Sequence, residues 1–297
     1  NKDGSFQRTI RFRGPDLESV TEAELVATCA RFNNFLRRFG SGWALFFEAE
    51  RFAAPDYPDS SFPDAASWLV DRERRAAFEA LGACFESAYH LTLLWLPPPD
   101  PVKRAEQALI DEEGDPAEHL ASFVTETDRA LDLLGGIMPE VTALDDAATL
   151  TYLHRTISTR AHPIAVPETP IHLDAILVDT PLTGGLEPML GDMHLRTLTV
   201  CGLPSMSRPG LLDDLNHLGL AYRWVTRFIP LDRVVATRIL GKLRRQWFAK
   251  RKSITAILRE VMFNEPTALV DSDADNKAAD ADAALQELGE GQVAFGY

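Results

Sequence analysis

Several things are scarce in this 297-residue sequence, and each scarcity removes a class of function. There are three cysteines, Cys29, Cys84 and Cys201, far apart and in no CxxC pairing. Neither a disulfide framework nor a cysteine-built zinc site is indicated, and a reducing compartment fits best. Long hydrophobic runs are absent: the longest apolar stretches, Trp43 to Phe47 and Leu91 to Pro99, fall far short of the roughly 20 residues that span a bilayer. No transmembrane helix is expected. Positive charge is short as well, with 30 Lys and Arg against 44 Asp and Glu and a formal charge of -14. A surface that negative repels nucleic-acid backbones, so nucleic-acid binding would need a local exception. The polar start, Asn1-Lys2-Asp3-Gly4, leads directly into a strand pattern. No signal peptide is therefore expected, the start reads as a domain boundary, and the default address is the cytoplasm.

The chemical motifs are missing too. A phosphate-cradling P-loop needs Gly, four residues, then Gly-Lys-Ser or Gly-Lys-Thr. At Gly241-Lys242, Ala236 stands where the first Gly belongs and Leu243 follows the Lys, which reads as a helix interior. The seven histidines include no HExxH, and His154, His162 and His172 are spaced too irregularly for one helix face, so they read as ordinary histidines and no metal site is expected. Ser205, in Gly-Leu-Pro-Ser-Met, lacks the second Gly of a nucleophile elbow. Asp271, Asp273, Asp275 and Asp282 fall on positions of a calcium loop, but Asn276 sits where that loop wants Gly, and the alanines around it favour an acidic helix start. No catalytic, cofactor or metal residues are assigned.

Hydrophobic residues make up 45% of the chain and charged residues 25%, a globular balance with enough apolar matter for two packed units. Phe6, Arg8, Ile10 and Phe12 alternate with Gln7, Thr9, Arg11 and Arg13 as a half-buried strand does. Thr21 with Glu24 is a capping box opening a helix over about Glu22 to Phe39, with Leu25, Cys29, Phe32 and Leu36 as its buried stripe. A strand follows over Trp43 to Glu50. Asp64 then caps a helix carrying Trp68, Leu69, Phe78, Leu81 and Phe85, and a strand runs from His90 to Leu96. Pro101 to Asp146 reads mostly as acidic helix, and Ala147 to Ser158 as another. Strands are expected over Ile171 to Val178, His194 to Cys201, Tyr222 to Ile229 and from Val293. Helices are expected over Leu211 to Leu218, about Asp232 to Lys252, and onward to Leu288. The fold class is α+β, with two packed subdomains of mixed sheet and helices, residues 1–162 and 163–297, joined at the proline-broken stretch Arg160 to Pro170.

One local feature departs from the background. Arg238, Lys242, Arg244, Arg245, Lys250, Arg251 and Lys252 lie in a stretch free of acidic residues between Asp232 and Glu260, with Trp247 and Phe248 inside it. Such a run is either a solvated helix face or a surface for an acidic partner or anionic lipid, and nucleic acid is the weaker alternative.

Three stretches carry a family resemblance: Asn1 to Arg8 with the following Arg11 to Leu17, then Gln246 to Ser253, and Asn276 to Ala284. Together they resemble the amino-terminal region of the VirB/TrbE/CagE ATPases of conjugative type IV secretion, in order along essentially the whole chain. The resemblance implies that a RecA-like ATPase domain, with ATP and magnesium, belongs to the parent protein and not to these residues. It also implies docking to inner-membrane proteins of the secretion channel and to other copies of itself, on the cytoplasmic side of the inner membrane and with peripheral membrane contact. The expected function is a scaffold or docking region. The rivals are a free-standing enzyme with an unrecognised site and a nucleic-acid-binding module built on the basic helix.

Overall fold

A computed structural model describes residues 1–16, 19–54, 56–82, 84–97, 116–200, 210–250, 279–286 and 289. Its centre is a five-stranded sheet built from β1 (Phe6–Arg13), β2 (Trp43–Ala53), β3 (Phe85–Trp95), β4 (Glu140–Ala143) and β8 (Tyr222–Phe228), in the order β4-β1-β3-β2-β8. The α+β class holds, but every pair in this sheet is antiparallel and not mixed. Its edge strand β8 comes from beyond residue 163, so the sheet draws on both halves of the chain. Three two-residue strands, β5 (Leu182–Thr183), β6 (Met189–Leu190) and β7 (Met193–His194), make a second, small sheet.

The alternation in β1 sorts the two faces of the main sheet. Across one face, Ile10 pairs with Leu91 and Arg8 with Leu93, while Leu45 pairs with Leu93 and Phe47 with Leu91. This apolar face is covered by α1 (Glu22–Leu36) and α3 (Pro116–Gly135). The core joins Ile10, Leu45, Leu91 and Leu93 to Phe35 and Phe39 above the sheet and to Ala130 and Leu134 of α3. An aromatic cluster extends it, with Phe123 stacked on both Phe6 and Trp43 at centroid distances of 5.6 and 5.8 Å. Arg8 ties α3 down through Thr127 at 2.9 Å and Asp128 at 2.6 Å.

Capping sets the helix starts as expected: Thr21 and Glu24 form a reciprocal box at α1, and Asp64 accepts from Ser67 N at the start of α2 (Ala65–Ala80). The helix α2 stops earlier than expected. Gly82 adopts φ +75°, a left-handed geometry that ends the helix at little steric cost, and Phe85 already opens β3. The acidic stretch before Asp146 contains β4, which pairs with β1 and displaces the expected helix there. Ile171 to Val178 is not a strand: Leu173–Leu177 forms a short helix, α5. Leu173, Ile176 and Leu177 satisfy the helical period as well as the extended one, and no neighbouring strand among the described residues is there to pair with. Of the expected strand from His194 only Met193–His194 is extended, and residues 195–200 are irregular. Residues 213–217 make a single 3₁₀ turn.

Candidate functional site

The basic helix forms as α6 (Arg233–Lys250), and contacts at its start and along its apolar side fix its position. Asp232 accepts from Ser41 N at 3.1 Å, and its own N–H donates to Ser41 Oγ at 3.3 Å, which anchors the start of the helix beside β2. Ala236 and Leu240 are buried against Leu231, Ala284 and Leu285, so the apolar side of α6 is turned to the helix of residues 279–286. Leu243, expected on that buried side, is 39% exposed.

At 100° per residue, Arg238, Lys242 and Arg245 fall on the side opposite Ala236 and Leu240, and all three are exposed. Arg244 lies apart from this row and pairs with Asp282 at 2.9 Å, so it belongs to the helix packing. The structure thus brings Arg238, Lys242 and Arg245 together and separates Arg244 from them. The side chains of Trp247 and Lys250, and Arg251 and Lys252 altogether, lie outside the described residues, as do Ser205, the calcium-like positions 271 to 276 and the strand expected from Val293.

Sequence reasoning did not find a second feature, a buried polar network on the other face of the main sheet. Cross-strand register places Arg11 beside His90, His90 beside Glu48, and Glu50 beside Arg223. Helix α4 (Asp146–Ile157), capped by Asp145, lies over this row. Tyr152 donates to Glu48 Oε2 at 2.9 Å, and Arg155 reaches Glu50 at 3.1 Å. Arg223 Nε sits 3.0 Å from Glu48 and its Nη2 3.2 Å from Glu50. Glu48 and His90 are 6% and 8% exposed. A cleft of about 520 Å³ opens beside the network, lined by Arg11, Glu50, His90, Thr151, Tyr152 and Arg155 among others.

The electrostatics suit structure more than proton transfer. Burial, reinforced by the Glu48 carboxylate, pushes the Tyr152 hydroxyl well above the usual phenol range. Burial also presses His90 down to about 4, opposed by Glu50 and reinforced by Arg11, Arg223 and Arg155. Near pH 7 both groups are neutral. The signal for this network was present in the sequence, since Glu48 and His90 occupy alternate positions in otherwise apolar strands, but their pairing depends on register.

His90 carries a testable consequence. An unfolded histidine titrates near about 6.5, so between that pH and about 4 the unfolded chain holds the extra proton. Stability should therefore fall as pH is lowered through this window, by up to about 3 kcal/mol from this one group. Urea midpoints measured from pH 7 to pH 4 should show the fall, and His90→Gln should flatten it. An equal slope in the variant would assign the effect elsewhere.

The third feature gathers groups from separate elements. His154, on the last turns of α4, meets His162 of the following loop, ring to ring at 4.4 Å, and Asp179 just before the small sheet, 3.2 Å from Nε2. Ser158 and Thr180 hydroxyls both donate to Asp179 Oδ1, at 2.5 and 2.8 Å. These bonds, the Ser158 one foremost, hold the Asp179 carboxyl well below the usual carboxylate range. The expectation of unrelated histidines looked for one helix face, and the fold brings two of the three together from a helix and a loop. His172 is not among them.

Residues 1–102 match a family model described as the N-terminal domain of the type IV secretion system ATPase VirB4/TrbE. Over its full length the chain is 31% identical to a conjugal transfer protein TrbE of Rhizobium radiobacter, and it spans 38% of that protein's length. In Sinorhizobium fredii (strain NBRC 101917 / NGR234) a probable conjugal transfer protein TrbE is divided in two, and this chain is similar to both pieces. It is 36% identical to the first piece, over 39% of this chain and 79% of that piece. The second piece is 32% identical over 50% of this chain and 22% of its own length.

Proposed function

Because the chain belongs to the VirB4/TrbE family of type IV secretion proteins, we propose that these residues form a scaffold that docks the protein onto the conjugative secretion apparatus. The partners are inner-membrane proteins of the secretion channel, with other copies of the chain and anionic lipid as further contacts on the cytoplasmic side. ATP binding and hydrolysis, with magnesium, belong in this reading to a RecA-like domain of the longer protein, since none of the 297 residues forms a P-loop. Among the described residues no helix is long and apolar enough to cross a membrane, so membrane contact in this reading is peripheral.

The observation that carries the proposal is the exposed row Arg238, Lys242 and Arg245 on α6, a cationic face on a chain of charge -14. Such a face attracts an acidic surface and orients the approach. Helix α2 is consistent with docking as well: it buries none of its residues, and Trp68, Leu69 and Val70 are each about half exposed.

Reversing Arg238, Lys242 and Arg245 to Glu tests it. Exposed charges contribute little to stability, so folding should be unchanged. Each basic residue near an anionic surface contributes on the order of 1 kcal/mol, so the triple reversal should weaken co-sedimentation with phosphatidylserine-containing vesicles by more than about 100-fold. Pull-down of inner-membrane secretion-channel proteins should fall in parallel. Unchanged binding in both assays would reduce the row to a solvated face.

A further inference from the structure

We propose that His154, His162 and Asp179 form a zinc site that clips the segment after α4 onto the body of the protein. One ligand atom from each of the three lies within 4.8 Å of the other two. Tetrahedral zinc with bonds of about 2.0 to 2.2 Å places its ligands roughly 3.3 Å apart. His154 Nε2 and Asp179 Oδ2 already stand 3.2 Å apart, and His162, exposed on a loop, needs only a small ring movement to close the third side.

The second, independent observation is the state of His154. Its side chain is fully buried, yet neither ring nitrogen makes a hydrogen bond of good geometry, even though Asp179 is within reach of Nε2. A buried polar atom left without a partner costs about 1 to 3 kcal/mol, and a metal at Nε2 would satisfy it. The surroundings match a ligand carboxylate: Ser158 and Thr180 occupy Oδ1, which leaves Oδ2 facing the histidine. The loop is held in place too, since Ile164 N donates to Thr151 Oγ1 of α4 at 2.9 Å, two residues beyond His162.

Two imidazoles and one carboxylate are a donor set for a borderline divalent ion, zinc above magnesium or calcium, with a fourth position open to water. What the ion would do follows from the segment it closes. Between Ser158 and Thr180 the chain carries Pro163, Pro167 and Pro170, and leaves Val166, Ile171, Leu173 and Val178 exposed. Leu177 and Thr180 are its buried anchors among the described residues. Such a segment has little apolar burial to offset its ordering entropy, and a metal crosslink from α4 to positions 162 and 179 supplies the missing restraint.

The test is titration calorimetry of the metal-stripped chain, without a histidine tag, against zinc chloride alone. One zinc per chain is expected, bound in the micromolar range or tighter, with a rise in thermal midpoint on zinc addition. His162→Ala, an exposed change that circular dichroism should show to be folded, should weaken binding by about 100-fold or more and remove the thermal shift. His162→Cys should retain both, because a thiolate replaces the imidazole as ligand. Cobalt bound in place of zinc should give the visible absorption of a tetrahedral site in the wild type and lose it in His162→Ala. Absence of saturable zinc binding, or equal affinity in wild type and His162→Ala, would overturn the site.

Discussion

Truncating Phe35 to alanine is expected to destabilise the chain by about 3 to 5 kcal/mol, the range for removing a buried aromatic ring from a packed core. Phe35 is 2% exposed and stands in contact with its aromatic neighbours on two sides, with Phe32 at 5.7 Å and Phe39 at 5.2 Å. Beneath it lie Leu45, Leu91 and Leu93, all fully buried on the apolar face of the sheet. No flexible side chain is placed to fill the cavity, so the transfer cost and the cavity cost add. Phe32→Ala should cost less, since Phe32 is only partly buried. Cys29→Ser, at an exposed position of the same helix, should stay within about 0.5 kcal/mol. Urea denaturation of the three variants checks the ranking, and a loss below about 1 kcal/mol at Phe35 would mean that α1 is not the lid of this core.

The second large effect concerns Arg223. Replacing it with methionine keeps most of the apolar stem but leaves Glu48 and Glu50 facing each other without their shared cation. Removing one partner of a buried ion pair costs about 3 to 5 kcal/mol. Arg223 is 25% exposed and Glu48 6%, so solvent screens some of the interaction and the lower end of that range is expected. The loss should fall in β8 first, because Arg223 is its main polar tie to β2, and amide exchange should rise across Tyr222–Phe228 before the rest of the sheet. Adding Glu48→Gln to Arg223→Met should recover some of the stability, since the uncompensated buried charge is then gone. Equal additive losses in this double-mutant cycle would show that the two side chains are not coupled.

Much of this was legible in the sequence, for a reason visible in particular residues. In β1 the period of two is unambiguous, and it assigns Phe6, Arg8, Ile10 and Phe12 to the core side and Gln7, Thr9, Arg11 and Arg13 to the other. The capping box at Thr21 and the cap at Asp64 are local chemistry, decided by residues three apart, and both formed. The rotation of α1 was not decided locally. Apolar residues surround much of that helix, from Leu25 and Val26 to Phe35 and Leu36, so several stripes satisfy the helical period. The sheet below selected the one that buries Phe35 and exposes Cys29.

The helical state of α6, its excess of positive charge and the missing P-loop were settled by residue type and spacing alone, because each depends only on neighbours along the chain. Which cations share a face away from the helix packing, and which one is spent on Asp282, required the helix of residues 279–286 to be placed. The same holds for the buried sites. Glu48, His90, Tyr152 and Arg223 are far apart in sequence, as are His154 and Asp179, and their encounters follow from strand register and the path of the chain after α4. Period and propensity report what a residue does to its own backbone, and register and packing decide which distant residue it meets.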